Sequence, residues 1–165
     1  MEIELRIPAV PVPQPRPRAQ LAGNHVHIHE VTSIKKTDGS RRAHPIVAFK
    51  STVRMAFQSA YTGAPLSGPL RVDLVFVFPR PTSLIWKKRP MPRLYHAKKP
   101  DRDNLDKSVL DALKGLAWND DAQVAAGYIE KWIAAGDEQP HVDIRIRTLD
   151  IGEFNGEPKY ATAGS

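Results

Sequence analysis

Residues 99–124, KPDRDNLDKSVLDALKGLAWNDDAQV, carry six aspartates, Asp101, Asp103, Asp106, Asp111, Asp120 and Asp121, in a 165-residue chain of formal net charge +6. Leu105, Val109, Ala112, Leu113 and Leu116 recur at helical spacing, and Gly115 stands near the end of the run. The stretch therefore predicts an amphipathic helix of about eight to ten residues, with Asp103 at its N-cap and Asp106 in its first turn, where free N–H groups favour carboxylates. QVAAGYIEKWIAA, 123–135, then reads as a strand, and HVDIRIRTLDI, 141–151, as a second, the two forming an antiparallel pair joined near GDEQP.

Outward from there the same two periods recur. EIELRI, 2–7, alternates apolar and charged residues and predicts a half-buried strand, whereas LRVDLVFVF, 70–78, alternates and then becomes continuously apolar, as a central strand does. PIVAFKSTVRMAFQSA reads as a helix over about 45–61, with Pro45 in the tolerant first turn, Gly63 beyond the end, and Lys50 and Arg54 on an exposed stripe. Strands mixed with two helices make an α/β fold of the α+β type the expectation: a small mixed sheet with two main helices packed on it. Residues 1–151 are expected to form one domain and 152–165, which lack periodicity, a disordered tail.

The chain has no cysteine, which excludes disulfides, thiolate zinc sites and a cysteine nucleophile. It has no apolar run of membrane-spanning length and no signal-peptide core near Met1, so a cytoplasmic protein without a membrane partner is expected. A pI near 9.7 favours polyanions. PAVPVPQPRPRAQ, 8–20, is an extended, donor-poor arm bearing Arg16 and Arg18, equally readable as a spacer, a ligand for a proline-reading partner or a phosphate contact. His25, His27 and His29 share one face of a predicted strand. Same-face neighbours lie roughly 7 Å apart, too far for all three to ligate one metal, so an exposed face is expected. TSIKKTDGSRRAH, 32–44, reads as a basic polar loop carrying Lys35 and Lys36.

Residues 79–102 have the strongest local bias. Arg80, Lys87, Lys88, Arg89, Arg93, Lys98, Lys99 and Arg102 stand against Asp101, with Trp86 and Tyr95 interleaved. Such a composition suits either nucleic acid, phosphates meeting cations and bases meeting aromatic rings, or a solvated loop.

An ordinary polar helix face explains Asp106 and Asp111, and Asp103, Lys107 and Asp111 could form an i, i+4, i+8 ion-pair ladder. Asp101 and the pair Asp120–Asp121 remain unexplained. Asp101 and Asp103, two apart in an extended lead-in, can point the same way, and a strand returning beside the helix could bring Asp121 to them. Three such carboxylates repel unless a cation holds them, and hard oxygen donors select Mg²⁺ or Mn²⁺.

The run Asp101-Arg102-Asp103-Asn104-Leu105-Asp106-Lys107, followed by Asp111-Ala112-Leu113 and by Trp118-Asn119-Asp120-Asp121-Ala122-Gln123, resembles the RusA family of Holliday-junction resolvases. The resemblance implies that Asp101, Asp103 and Asp121 bind divalent metal as catalytic residues and that Lys107 assists at the scissile phosphate. Asn104 and Asp120 would stand behind these ligands. It also implies a homodimer that nicks four-way DNA junctions in pairs, in recombination and repair. The basic runs themselves make Arg16, Arg18, Lys35, Lys36, Lys87, Lys88, Lys98, Lys99 and Arg102 the expected DNA contacts. The helix-to-tryptophan spacing is about one residue shorter than the family pattern, and the loop before Asp101 is longer and richer in proline. Two other classes fit the composition: a DNA-binding protein whose carboxylates only cap and brace a helix, and a proline-rich interaction module built on the 8–18 arm.

Overall fold

In the computed structural model, which describes residues 1–22, 25–86 and 88–149, the sheet is assembled on one strand, Leu70–Phe78. The strands are β1 (Glu2–Ile7), β2 (Arg18–Ala22), β3 (His25–His29), β4 (Ser33–Lys35), β5 (Arg41–Ala43), β6 (Leu70–Phe78), β7 (Leu94–Tyr95), β8 (Val124–Ala126), β9 (Ile129–Ile133) and β10 (His141–Thr148). The helices are α1 (Pro45–Ala60) and α2 (Arg102–Leu113). The main sheet runs β1-β10-β6-β9-β7, with β8 also on β6. β10 is antiparallel to β1 and β6, β7 is antiparallel to β9, and β6 runs parallel to β8 and β9. The expected mixed α+β architecture is thus observed.

Register explains which face the helices cover. Leu5, Ile144, Leu74 and Ile129 lie in one row across four strands, and alternation places Leu70, Val72, Leu74, Phe76 and Phe78 of β6 together on that side. All five are buried, and they form one core with Phe49, Val53 and Phe57 of α1 and Leu105, Val109, Ala112 and Leu113 of α2. Each large apolar side chain taken fully out of water stabilises the fold by about 2 kcal/mol. On the opposite face Asp73 is buried, held by Arg71 Nε at 2.9 Å and by the Tyr128 amide at 3.0 Å. Val77, also fully buried, lies there beside its register partners His141 and Trp132. Cover on both faces is why this strand reads as continuously apolar.

Three expectations are corrected here. QVAAGYIEKWIAA and HVDIRIRTLDI do not pair with each other, because β6 lies between them. The first of these segments is also two strands, broken at Gly127–Tyr128, where the Tyr128 carbonyl accepts from the Leu74 amide at 2.9 Å. Lastly, 32–44 holds a short hairpin, β4–β5, whose turn is closed by the Ser40 amide on Asp38 at 2.9 Å. β2 and β3 form a second ribbon, with His25, His27 and His29 exposed as expected and Val26 and Ile28 exposed on the other face. The tail, 152–165, lies outside the described residues.

Gly127 makes the β8–β9 break possible. A Cβ there would collide with the Val72 carbonyl oxygen, and its φ of 154° is one side chains rarely adopt. Replacing it by alanine is expected to cost about 3 kcal/mol, read as a fall in the midpoint of chemical denaturation. An unchanged midpoint would show that the two strands tolerate another junction.

Candidate active site

The site grows from α2 and what leads into it. Its apolar stripe, Leu105, Val109, Ala112 and Leu113, is buried against the core, so the opposite stripe is fixed outward. Asp103 and Lys107, four residues apart, are both exposed there. The N-cap is Asp101, not Asp103, which sits in the first turn; the helix, at twelve residues, is longer than expected. Asp101 makes no side-chain capping bond although it occupies the capping position. Its carboxylate is half exposed and points at Arg16, 4.0 Å away.

The proline arm is fastened to this point. The Gln14 amide donates to the Asn104 carbonyl at 2.8 Å, and Pro13, Gln14, Arg16, Lys99, Pro100, Asp101 and Asn104 line one cleft of about 510 Å³. The backbone therefore carries the arm past the helix N-terminus and delivers Arg16 to it. Gln14 is buried, and its Oε1 has no hydrogen-bond partner among the described residues. A buried amide oxygen without a partner costs stability. In the sequence Gln14 is marked only as a lone amide in a proline run, and it was not among the expected site residues.

The WNDDAQ segment has a different construction. Gly115, at φ 76°, turns the chain and its amide donates to the Trp118 carbonyl at 2.7 Å. Trp118 is fully buried, and its Nε1 donates to Asp121 Oδ1 at 2.9 Å. Asp120 caps a 3₁₀ turn at Asp121–Gln123, accepting from the Ala122 amide at 3.0 Å, while Gln123 Oε1 accepts from the Asp120 amide at 3.1 Å. The bond to Ala122 and nearby Lys114 hold the Asp120 carboxyl below its ordinary range. Lys114 Nζ stands 3.7 Å from both Asp120 and Asp121.

These contacts divide the six aspartates. Asp111 pairs with Lys50 of α1 at 3.2 Å rather than continuing a ladder through Lys107, and Arg54 Nη1 donates to the Ala112 carbonyl at 2.9 Å. Lys50 is thus partly buried against α2, whereas Arg54 is exposed as expected while reaching the Ala112 carbonyl. Asp106 is half-buried: burial pushes its carboxyl up, Arg102 pulls it down, and neighbouring Asp121 pushes it up again. Among the described residues no three His, Asp or Glu side chains stand together closely enough to hold one ion. Asp101 stands at the N-cap of α2 and Asp103 in its first turn, on the helix rather than in the extended lead-in that was expected, and Asp121 is held by Trp118 and Lys114, so the expected gathering of the three is not observed.

The basic loop is anchored rather than loose. Arg80 Nε donates to the Leu84 carbonyl at 2.8 Å and its Nη1 to the Pro92 and Ala134 carbonyls at 2.9 and 2.7 Å. Arg93 grips both oxygens of Glu138, Nε to Oε2 at 2.9 Å. Lys131 Nζ donates to the Lys98 and Pro100 carbonyls at 2.7 and 2.6 Å, pinning the segment that enters Asp101. Arg80, Arg93 and Lys131 are thereby internal struts, whereas Lys88, Arg89, Lys98, Lys99 and Arg102 are exposed. Arg16, Arg18, Lys35 and Lys36 are exposed as well, and Lys87 lies outside the described residues.

The described residues thus form an α+β domain with carboxylates at the start of a helix and exposed cations on the anchored loop that leads into it. The chain belongs to the RusA family: the family model for Endodeoxyribonuclease RusA matches residues 8–147. It is also similar to Uncharacterized protein YqaN of Bacillus subtilis (strain 168), at 30% identity over 106 residues, 61% of this chain and 72% of that one. Among the described residues no helix is long and apolar enough to cross a membrane.

The Arg93–Glu138 strut makes a pH-dependent contribution of known sign. The Arg93 hydrogen bonds hold the Glu138 carboxyl at about 2 against an ordinary 4.5. A depressed folded value stabilises the fold fully above pH 4.5, and that contribution disappears as pH falls toward 2. Glu138→Gln is therefore expected to be less stable than wild type at about pH 6, with the gap closing in acid. A gap independent of pH in denaturation titrations would contradict the pairing.

Proposed function

We propose that the protein is a Mg²⁺-dependent, structure-selective endodeoxyribonuclease that acts as a homodimer, in recombination and repair, and resolves four-way junctions and related branched DNA by paired symmetric nicks. Membership of the RusA family supports the activity class. The observation that carries the assignment of residues is the cleft that Asp101 lines together with Arg16, Lys99 and Asn104.

The donor chemistry suits a hard divalent cation. Mg²⁺ keeps several waters and binds through one or two carboxylates plus substrate phosphate, so Asp101 and Asp103 are the proposed seat; Asp121, which does not form one cluster with them, would join as a third ligand only when the ion and DNA are bound. When present, the ion would polarise the phosphodiester and lower the pKa of a water for in-line attack, and Mn²⁺ can substitute.

The chain's own residues do the rest. Arg16 and Lys99 neutralise phosphate oxygens at the mouth of the cleft and fix the strand's register. Lys107, one turn along α2 from Asp103, stabilises charge developing on the phosphate or the leaving oxygen. Asp120 holds the turn that presents Asp121. A two-fold dimer matches a two-fold junction, so each protomer makes one of two opposed cuts. The alternative, in which the acids only brace a helix, is disfavoured by Asp101, which stands at the N-cap without bonding to it.

Incubation with a synthetic four-way junction tests this. In Mg²⁺ wild type is expected to give symmetric nicks that EDTA abolishes. Asp103→Asn and Lys107→Met should each cut at least roughly a hundredfold more slowly while still retarding the junction in a gel. Undiminished cutting by Asp103→Asn would overturn the residue assignment, and cutting in EDTA the metal dependence.

A further inference from the structure

One residue breaks the pattern of the sheet face that α2 covers. Ile7, Val142, Phe76 and Lys131 are register partners in one row across β1, β10, β6 and β9, and the first three are fully buried. Alternation puts Ile129 and Ile133 on the same side of β9. Lys131 therefore stands where the strand pattern requires an apolar side chain. Among the described strands of the main sheet it is the one charged residue on that side. An ammonium loses hydration in such a place, and rules of patterning are broken at sites that serve function.

The contacts of Lys131 show what it acts on. The residue is partly buried, and Nζ donates to the Lys98 carbonyl at 2.7 Å and to the Pro100 carbonyl at 2.6 Å. Both acceptors are main-chain oxygens, so neither cancels the charge. The Pro100 carbonyl carbon is bonded to the Asp101 nitrogen, which keeps Nζ within about 6 Å of the Asp101 Cα. Arg80 and Arg93 are spent elsewhere, the first on the Leu84, Pro92 and Ala134 carbonyls and the second on Glu138. Lys131 instead holds the residue that precedes the candidate metal ligand.

Asp101 has the backbone of an N-cap, φ −72° and ψ 146°, yet makes no side-chain capping bond, and it lines the cleft with Arg16 and Lys99. An aspartate in that position ordinarily accepts from the amides of the first turn. We propose that Lys131 is a positioning residue: by drawing two carbonyls of the lead-in onto one point of the sheet, it fixes the entry of the chain into α2 so that the Asp101 carboxylate serves the cleft instead of capping the helix. This rests on the metal-dependent nuclease proposed above and adds to its site a residue outside both acidic runs.

The test uses the full chain and reads Mn²⁺ affinity by electron paramagnetic resonance with a non-cleavable four-way junction present, beside junction affinity in EDTA and chemical denaturation. Lys131→Met is expected to bind Mn²⁺ roughly tenfold more weakly, with junction affinity unchanged. Lys131→Arg, whose guanidinium can meet both carbonyls, should stay closer to wild type, and Lys131→Gln gives the same comparison should the methionine variant not fold. Arg80→Met, which removes a carbonyl-bound cation from another part of the loop, should lower the denaturation midpoint and leave Mn²⁺ affinity unchanged. Wild-type or tighter Mn²⁺ binding by Lys131→Met, or an equal loss in Arg80→Met, overturns the positioning role and leaves the nuclease reading standing. Failure of wild type to bind Mn²⁺ with junction present overturns both.

Discussion

The burial of one helical stripe is the constraint on which the rest depends. Leu105, Val109, Ala112 and Leu113 must leave water, and α1 and the sheet give them a surface that admits one rotation of α2. Asp103 and Lys107 then face outward because their neighbours face inward. Lys50 and Arg54 secure the helix from the side, through Asp111 and the Ala112 carbonyl. A rotation of the helix by one residue would bury a carboxylate and expose a leucine, so the geometry of the candidate site is fixed by packing rather than by contacts among the polar groups.

The chain separates its charges by task. Arg80, Arg93 and Lys131 are used up on carbonyls and Glu138, holding the long loop and the lead-in to α2 in place. Lys88, Lys98, Lys99 and Arg16 remain for an outside anion. The same division holds among the acids: Asp111 and Asp120 are structural, whereas Asp101 makes no capping bond. A basic protein with an acidic segment is therefore not in conflict with itself, since most of its acids are paired within the fold and Asp101 stands in one cleft with Arg16 and Lys99.

Much of this is legible in the sequence. β1, β6 and α1 follow from periodicity and from Pro45, and the DxDNLxK and WxDDAQ runs mark the candidate site through their resemblance to the RusA family. What is not legible is non-local. Nothing in QVAAGYIEKWIAA says that Gly127 will interrupt it, because that depends on how close the Val72 carbonyl comes. Nothing in HVDIRIRTLDI says that its partner is β6 rather than β9, since antiparallel alternation reads alike in either pairing. Gln14 reads as a spacer residue, and its role emerges only when its amide meets Asn104. The helix starts from Asp101 rather than Asp103, with the Leu105 amide donating to the Asp101 carbonyl at 3.3 Å, and an aspartate at either position reads alike in the sequence.

The central claim is that the start of α2 is built to hold a divalent cation against DNA. Mn²⁺ binding followed by electron paramagnetic resonance, on the full chain with and without a non-cleavable four-way junction, tests it most directly. Wild type is expected to bind Mn²⁺ more tightly with junction present, and Asp101→Asn/Asp103→Asn to lose that binding while keeping the junction. Mn²⁺ bound equally well by the double variant would contradict the account.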